Sequence, residues 1–238
     1  QIMLPELDVA GQEKLLAARV LIVGLGGLGS PLAMYLAAAG VGTLVIADYD
    51  DVDLSNLQRQ IIHRESDIGE LKAASAQRTL NRLNPACATV ALDWQLDEAE
   101  LTREIRAADL VLDCSDNFDT RFAVNAASRR HGIPLVSGAA IRWDGQVGVF
   151  NRTAADPCYR CLYATAGEDE QRCSESGVIA PLVGIIGTVQ ALEAVKLLAG
   201  VGESLGGRLL VLDGLRMQWR ELRLPRDPAC PVCGTATA

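Results

Sequence analysis

The sequence predicts an α/β protein, a Rossmann-like doubly wound sheet that antiparallel strands extend into a mixed sheet. Three observations carry this. Over residues 19–138 short branched apolar runs alternate with helical patterns, which is the periodicity of βαβ units. The first apolar run leads straight into "GLGGLG", residues 24–29, a glycine loop that opens a helix. Beyond Ala139 the alternation gives way to strand-like runs joined by turns, framed by two Cys-x-x-Cys pairs. One domain is expected over residues 1–238, with a nucleotide-binding part at 19–138 and a mixed-sheet extension at 139–238.

Each element follows from its residues. "RVLIV", Arg19–Val23, is a strand because its branched apolar side chains run without a break. Residues 30–39, "SPLAMYLAAA", are small and apolar and form a tightly packed helix. "TLVIA", Thr43–Ala47, is the next strand, and a right-handed crossover brings the Asp48 that ends it beside the glycine loop. A helix at 71–83, a strand at 89–92, a helix at 98–107 and the strand "LVLDCSD" continue the alternation, followed by a helix at 122–131 and a strand at 135–138. "GQVGVFN" and "GGRLLVLDGLRMQWRELRL" read as antiparallel strands. Between them, residues 181–200 form an apolar helix whose Gln190, Glu193 and Lys196 recur at helical spacing, so polar groups collect on one side of a core or interfacial helix rather than a membrane span. The polar stretch 167–176 is the candidate mobile loop.

Composition narrows the function classes. With 49% apolar residues the 238-residue chain can bury a substantial core, and its net charge of -8 repels nucleic acid and anionic bilayers, so neither is expected as a partner. No signal-like succession opens the chain at Gln1, and a cytoplasmic location is expected. Of seven cysteines, Cys158/Cys161 and Cys230/Cys233 form two knuckles that can bring four thiolates around one Zn²⁺, a closed and therefore structural site. Two redox or disulfide pairs are the competing reading, disfavoured in a reducing compartment. Cys87 and Cys114 read as packed small apolar groups, whereas Cys173, beside Arg172 in the polar stretch, is a candidate reactive thiol. His63 and His131 have no partner evident in the sequence.

Gly24, Gly26, Gly27 and Gly29 permit a tight turn and close approach of backbone to a phosphate at a helix N-terminus, and Asp48 suits ribose hydroxyls. A dinucleotide and a nucleoside triphosphate both meet those terms. The run after the acidic strand end separates them: Ser55, Asn56, Gln58 and Gln60 offer neutral donors and Arg59 a fixed charged fork, which suits a triphosphate better than a hydride donor.

"GLGGLGS", "SNLQRQ", Lys72, "DCSDN" and the two cysteine pairs stand in the order found in bacterial E1-like adenylyltransferases, and the chain resembles the ThiF/MoeB/HesA family over nearly its whole length. That family joins the C-terminal glycine of a ubiquitin-like sulfur carrier, ThiS or MoaD, to the α-phosphate of ATP and releases pyrophosphate. The resemblance implies that the four glycines and Asp48 hold the nucleotide, that Ser55, Asn56, Leu57, Gln58 and Arg59 line it with Arg59 on the phosphates, and that Lys72 adds a second cation. It implies that Asp116 binds the Mg²⁺ accompanying ATP, helped by Asn117, and that Arg59, Lys72 and Asp116 carry the catalysis. It further implies ATP, Mg²⁺ and Zn²⁺ as cofactors, a carrier ending in Gly-Gly as partner, a homodimer, and sulfur or acyl transfer at Cys173. With no rhodanese-like segment after Cys233, a separate persulfide donor is expected. Family members carry an arginine directly before the segment seen here as Gln1-Ile2, reaching the neighbouring subunit's ATP; the sequence opens after that position. The rival readings are a nicotinamide-dependent oxidoreductase and a non-catalytic scaffold that keeps the carrier-binding surface.

Overall fold

A computed structural model describes residues 1–164 and 177–234. The parallel half of the sheet holds β1 (Arg19–Val23), β2 (Thr43–Ala47), β3 (Ala88–Leu92) and β4 (Leu110–Asp113). β5 (Leu135–Ile141) is parallel to β4 and antiparallel to β6 (Asp144–Phe150), and β7 (Arg208–Asp213) and β8 (Gln218–Arg223) continue antiparallel. The described residues make one eight-stranded sheet in the order β3-β2-β1-β4-β5-β6-β7-β8. The mixed sheet is thus as expected.

Helices α1 (Asp8–Ala17), α2 (Gly29–Ala39), α3 (Lys72–Leu83) and α7 (Ala180–Ala199) contribute to one buried apolar cluster with β1, β2 and β4. Helices α4 (Glu98–Arg106), α5 (Phe118–His131) and the short α6 (Tyr159–Leu162) contribute to a second one, which includes Leu21, Val45 and Val111. Because helices cover both faces, β1 and β2 bury nearly every side chain, which is why their sequences are unbroken apolar runs rather than alternating ones. At the far edge β8 is exposed along its length, and Arg220, Arg223 and the Arg208–Glu221 pair put charge where an edge strand would otherwise invite pairing.

Three elements differ from the sequence reading. Helix α1 was not expected; its mid-helix Gly11 weakens the helical signal, and a Cβ there would crowd the Leu7 side chain at 2.9 Å while meeting Ala199 Cβ of α7 at an ordinary contact distance of 3.6 Å. Lys14 Nζ also donates to the Ala199 carbonyl at 2.7 Å, satisfying the end of α7. Helix α5 begins at Phe118 rather than 122 because Asn117 Oδ1 accepts the Thr120 N–H at 2.9 Å and caps it. Strand β5 runs on to Ile141 because β6 pairs with it to the hairpin end.

Helix α7 is long and apolar enough to cross a membrane by length and composition alone, and it packs on α2 and across β4, β5 and β6. Its polar side faces inward. Gln190 Nε2 donates to the Asp113 carbonyl at 2.9 Å, while Glu193 accepts the Leu205 N–H at 2.9 Å and pairs with Lys196. The spacing of these residues therefore marks a polar seam in which Gln190 and Glu193 are buried and half-buried Lys196 closes the edge, each satisfied by backbone or a counter-charge.

Candidate active site

Val23, Ala47 and Asp113 end β1, β2 and β4 in one register, so the segments that follow them emerge together at the carboxyl edge of the sheet. The chain winds from β1 to β2 and β3 on one side and places β4 and β5 on the other; the crevice where that order reverses is where such sheets bind ligands. The glycine loop, Asp48 and the "DCSDN" segment are the three strand-end segments flanking it.

Gly24 has φ +91°, and a Cβ there would lie 2.8 Å from the Cys114 carbonyl oxygen, so only glycine allows β1 to turn this tightly against the end of β4. Gly27 is required for packing instead, since a Cβ would meet the Val183 side chain of α7 at 2.8 Å. Gly26 and Gly29 bring the chain into α2, whose N-terminus and dipole lie at this edge, although Pro31 has no N–H and the Ser30 N–H already bonds the Gly26 carbonyl at 3.0 Å.

Asp48 holds the loop itself. Its Oδ2 accepts the Leu25 N–H at 2.7 Å and its Oδ1 the Asp50 N–H at 3.0 Å. Burial pushes its pKa up, and the Lys72 charge opposes that. Lys72 is buried at the start of α3, pairs with Asp50 at 2.8 Å, and its charge is also felt at Asp53 and His63. This is a cation held in place by burial and an ion pair.

The run after Asp53 makes a single 3₁₀ turn, Leu54–Asn56. Asp53 caps it by accepting the Ser55 N–H at 2.8 Å, Asn56 Oδ1 accepts the Asp53 N–H at 3.4 Å, and Arg59 donates to the Ser55 carbonyl at 3.1 Å. Ser55 and Gln58 are exposed, and Asn56, Leu57 and Arg59 are half-buried. Part of the polarity here therefore shapes the turn that presents Arg59 rather than waiting for a ligand. Gln60 is buried and approaches the glycine loop: a Cβ on Gly26 would lie 3.6 Å from Gln60 Nε2.

Asp116 is exposed at the tip of the segment after β4, with Asn117 Nδ2 3.4 Å from its Oδ1. Beneath it lies a buried network that the sequence reading missed. Asp113 accepts Ser115 Oγ–H at 2.6 Å and Ser137 Oγ–H at 2.7 Å. Arg121 donates to the Ser115 carbonyl through Nε at 3.2 Å and through its other nitrogen at 2.5 Å, to the Gly138 carbonyl at 3.3 Å and to Tyr159 Oη at 3.0 Å. Burial works against the guanidinium charge, and Asp113 and Tyr159 outweigh it, raising its pKa above the ordinary value. The available signal was an aspartate closing a buried strand and an arginine one turn after the capping Asn117.

His63 does have a partner. Its Nδ1 lies 2.9 Å from Ser75 Oγ, which donates to Asp67 Oδ2 at 2.9 Å, and Arg78 donates to Asp67 Oδ1 at 2.7 Å. Among the described residues its buried Nε2 finds no partner within hydrogen-bond geometry. Burial, reinforced by the Lys72 charge, lowers its pKa from 6.5 to about 4, against the Leu25 carbonyl and Asp67. Between those values the unfolded chain takes a proton that the folded one refuses, so stability falls as pH drops from 6.5 to 4. Denaturant unfolding at pH 7 and pH 4.5 should show a loss about 2 to 3 kcal/mol smaller in His63→Gln than in the unsubstituted protein. Equal losses would mean that His63 is not held neutral.

The two cysteine knuckles meet. Cys158 Sγ lies 3.5 Å from Cys230 Sγ and Cys161 Sγ 3.4 Å from Cys233 Sγ, and all four sulfurs lie within 4.8 Å of one another. These separations are too long for disulfides and close to the edge of about 3.8 Å that a tetrahedron with a bond length of about 2.3 Å requires. Burial works to raise the Cys233 pKa, but hydrogen bonds from Cys161 and Cys158 bring it to about 7, and the Asp227 N–H points at Cys161 Sγ at 3.4 Å. The set fits one zinc ion and leaves no ligand position open. Cys87 and Cys114 are buried as expected, and Cys173 lies outside the described residues.

Comparison with known proteins matches the ThiF family over residues 1–232. The chain is 50% identical over 234 residues to the molybdopterin-synthase adenylyltransferase of Escherichia coli, covering 98% of this chain and 94% of that protein. It is 48% identical over 238 residues to the sulfur carrier protein ThiS adenylyltransferase of the same organism, covering 100% and 94%. Among solved structures, E. coli MccB with MccA-N7isoASN superposes with a TM-score of 0.84 at 23% identity, over 95% of this chain and 70% of that one, a likeness of fold.

Proposed function

The chain belongs to the ThiF family, and from that premise we propose that it adenylates the C-terminal glycine of a ubiquitin-like sulfur carrier of ThiS or MoaD type, using ATP and releasing pyrophosphate. The observation that carries the reading is the convergence at adjacent strand ends of the Gly24 turn, Asp48 and the Asp116 tip, with buried Lys72 beside Asp48. Both curated relatives are named as adenylyltransferases, and nothing in the crevice favours the nicotinamide alternative.

In this reaction the carrier's terminal carboxylate attacks the α-phosphorus, the bond from that phosphorus to the bridging oxygen breaks, and pyrophosphate leaves. No enzyme nucleophile is needed, so the residues work by alignment and by neutralising charge. The α2 N-terminus receives phosphate oxygens, Asp48 keeps the glycine loop in shape and accepts ribose hydroxyls, and Lys72 and Arg59 offset the charge of the departing pyrophosphate. Asp116 supplies a carboxylate oxygen, the right hard donor for Mg²⁺, which when bound neutralises phosphate oxygens. The cysteine cluster, loaded with zinc, fastens the C-terminal segment and takes no part in the chemistry. The reading extends to a homodimer, as the family resemblance implies, and to a separate persulfide donor and a cytoplasmic location.

The test is pyrophosphate exchange into ATP with the full-length protein and a carrier ending in Gly-Gly. Exchange should require the terminal glycine and vanish when it is removed. No exchange with either type of carrier would leave only the scaffold reading.

A further inference from the structure

Tyr159 stands between Cys158 and Cys161, inside the knuckle that meets the C-terminal cysteines. Its ring is fully buried and wedged among Phe150, Tyr163 and Phe122, with centroid separations of 5.5, 5.2 and 6.2 Å. Its backbone N–H donates to Asn125 Oδ1 at 2.8 Å, so the core beside the knuckle fixes the ring and α5 fixes the backbone next to Cys158. The hydroxyl then accepts from Arg121 at 3.0 Å, and Arg121 grips the Ser115 carbonyl with two nitrogens. Ser115 is the residue immediately before Asp116. A continuous path of packed and hydrogen-bonded groups thus runs from the cysteine cluster to the tip that carries the exposed carboxylate.

We propose that Tyr159 and Arg121 are positioning residues that couple the metal-loaded cysteine knuckle to the Asp116 tip, so that a filled knuckle raises the affinity of the crevice for magnesium-bound ATP. The physical reason lies in the exposure of Asp116. An exposed carboxylate on a loop loses conformational freedom when it coordinates a metal, and a backbone already clamped at the preceding carbonyl loses less. The guanidinium is suited to that clamp because its planar fork reaches Ser115, Gly138 and Tyr159 at once. The aromatic cluster holds the ring, and the link through Cys158 ties the Tyr159 backbone to the knuckle. The inference rests on the reading of Asp116 as the magnesium ligand.

Tyr159→Phe removes the hydroxyl while keeping the ring in its cluster and leaving the four cysteines untouched. ATP affinity of the zinc-loaded, full-length protein is measured by calorimetry over a magnesium series, beside zinc content and the unfolding temperature. The magnesium needed for half-maximal ATP affinity should rise roughly tenfold, the order expected for losing a hydrogen bond to a charged group, while zinc stays bound. Arg121→Lys, which keeps the charge but not the fork, should shift it in the same direction. Asp116→Ala provides the reference. If it shifts the magnesium dependence and Tyr159→Phe leaves it within twofold of the unsubstituted protein, the coupling is refuted and the assignment of Asp116 stands. If both are flat, the assignment of Asp116 fails and the coupling with it. Loss of zinc from Tyr159→Phe, or an equal loss of ATP affinity without magnesium, would reduce Tyr159 to a packing role and also overturn the proposal.

Discussion

Asp116→Ala is expected to lower carrier-dependent pyrophosphate exchange by about 100- to 1,000-fold while leaving the unfolding transition nearly where it was. Asp116 is exposed, and truncating an exposed side chain changes stability by about 0.5 kcal/mol or less. The nearby stabilising groups are different residues: Asn117 caps α5, and Asp113 and Arg121 hold the segment from below. The activity loss follows from chemistry: without the carboxylate the accompanying metal loses its protein ligand, and charge on the phosphate oxygens is left uncompensated as pyrophosphate departs. Asn117→Ala is the instructive contrast, since losing a cap costs about 1 kcal/mol of stability and would mix folding with function. Exchange by Asp116→Ala within about threefold of the unsubstituted protein would remove the residue from the mechanism.

Removing the metal from the cysteine cluster should produce the largest change in stability. Cys158 and Cys230 are 72 residues apart in sequence, and a closed cluster cross-links them much as a covalent bridge would. Closing a loop of that length is worth about 4 kcal/mol, which for a chain of this size corresponds to a fall of about 10 °C in the unfolding temperature. A strong chelator should bring that fall about in the unsubstituted protein. Cys230→Ser should already show it and should no longer respond to the chelator. If the chelator leaves the unfolding temperature of the unsubstituted protein unchanged, the sulfurs hold no stabilising metal. Leaving them paired within a buried cluster would then have to be explained by packing alone.

The nucleotide-binding half was legible because local chemistry and global topology agree there. A β-branched run, a glycine loop and an acidic strand end occupy consecutive positions, and backbone sterics admit few other arrangements for them. The cysteine pairs were legible for a similar reason, since thiolates at that spacing share one geometric requirement. Helix α1 was not, because its glycine counts against a helix locally, and what holds it is long-range: Leu15 in the shared core and the Lys14 bond to the Ala199 carbonyl. His63 was likewise opaque, since Ser75 and Asp67 reach it only once α3 is folded over the segment.

What the sequence determined by itself was the order of the elements, the position of the crevice and the residue types gathered near it, because these depend on neighbours in the chain. Only the tertiary structure decided which polar groups are free to meet a ligand and which are committed to the protein: Asn117 to Thr120, Gln190 to Asp113, Arg121 to Ser115 and Tyr159. The reason is that a buried donor or acceptor must find a partner, and for the long-range pairs among them that partner is set by packing across the sheet rather than by sequence spacing.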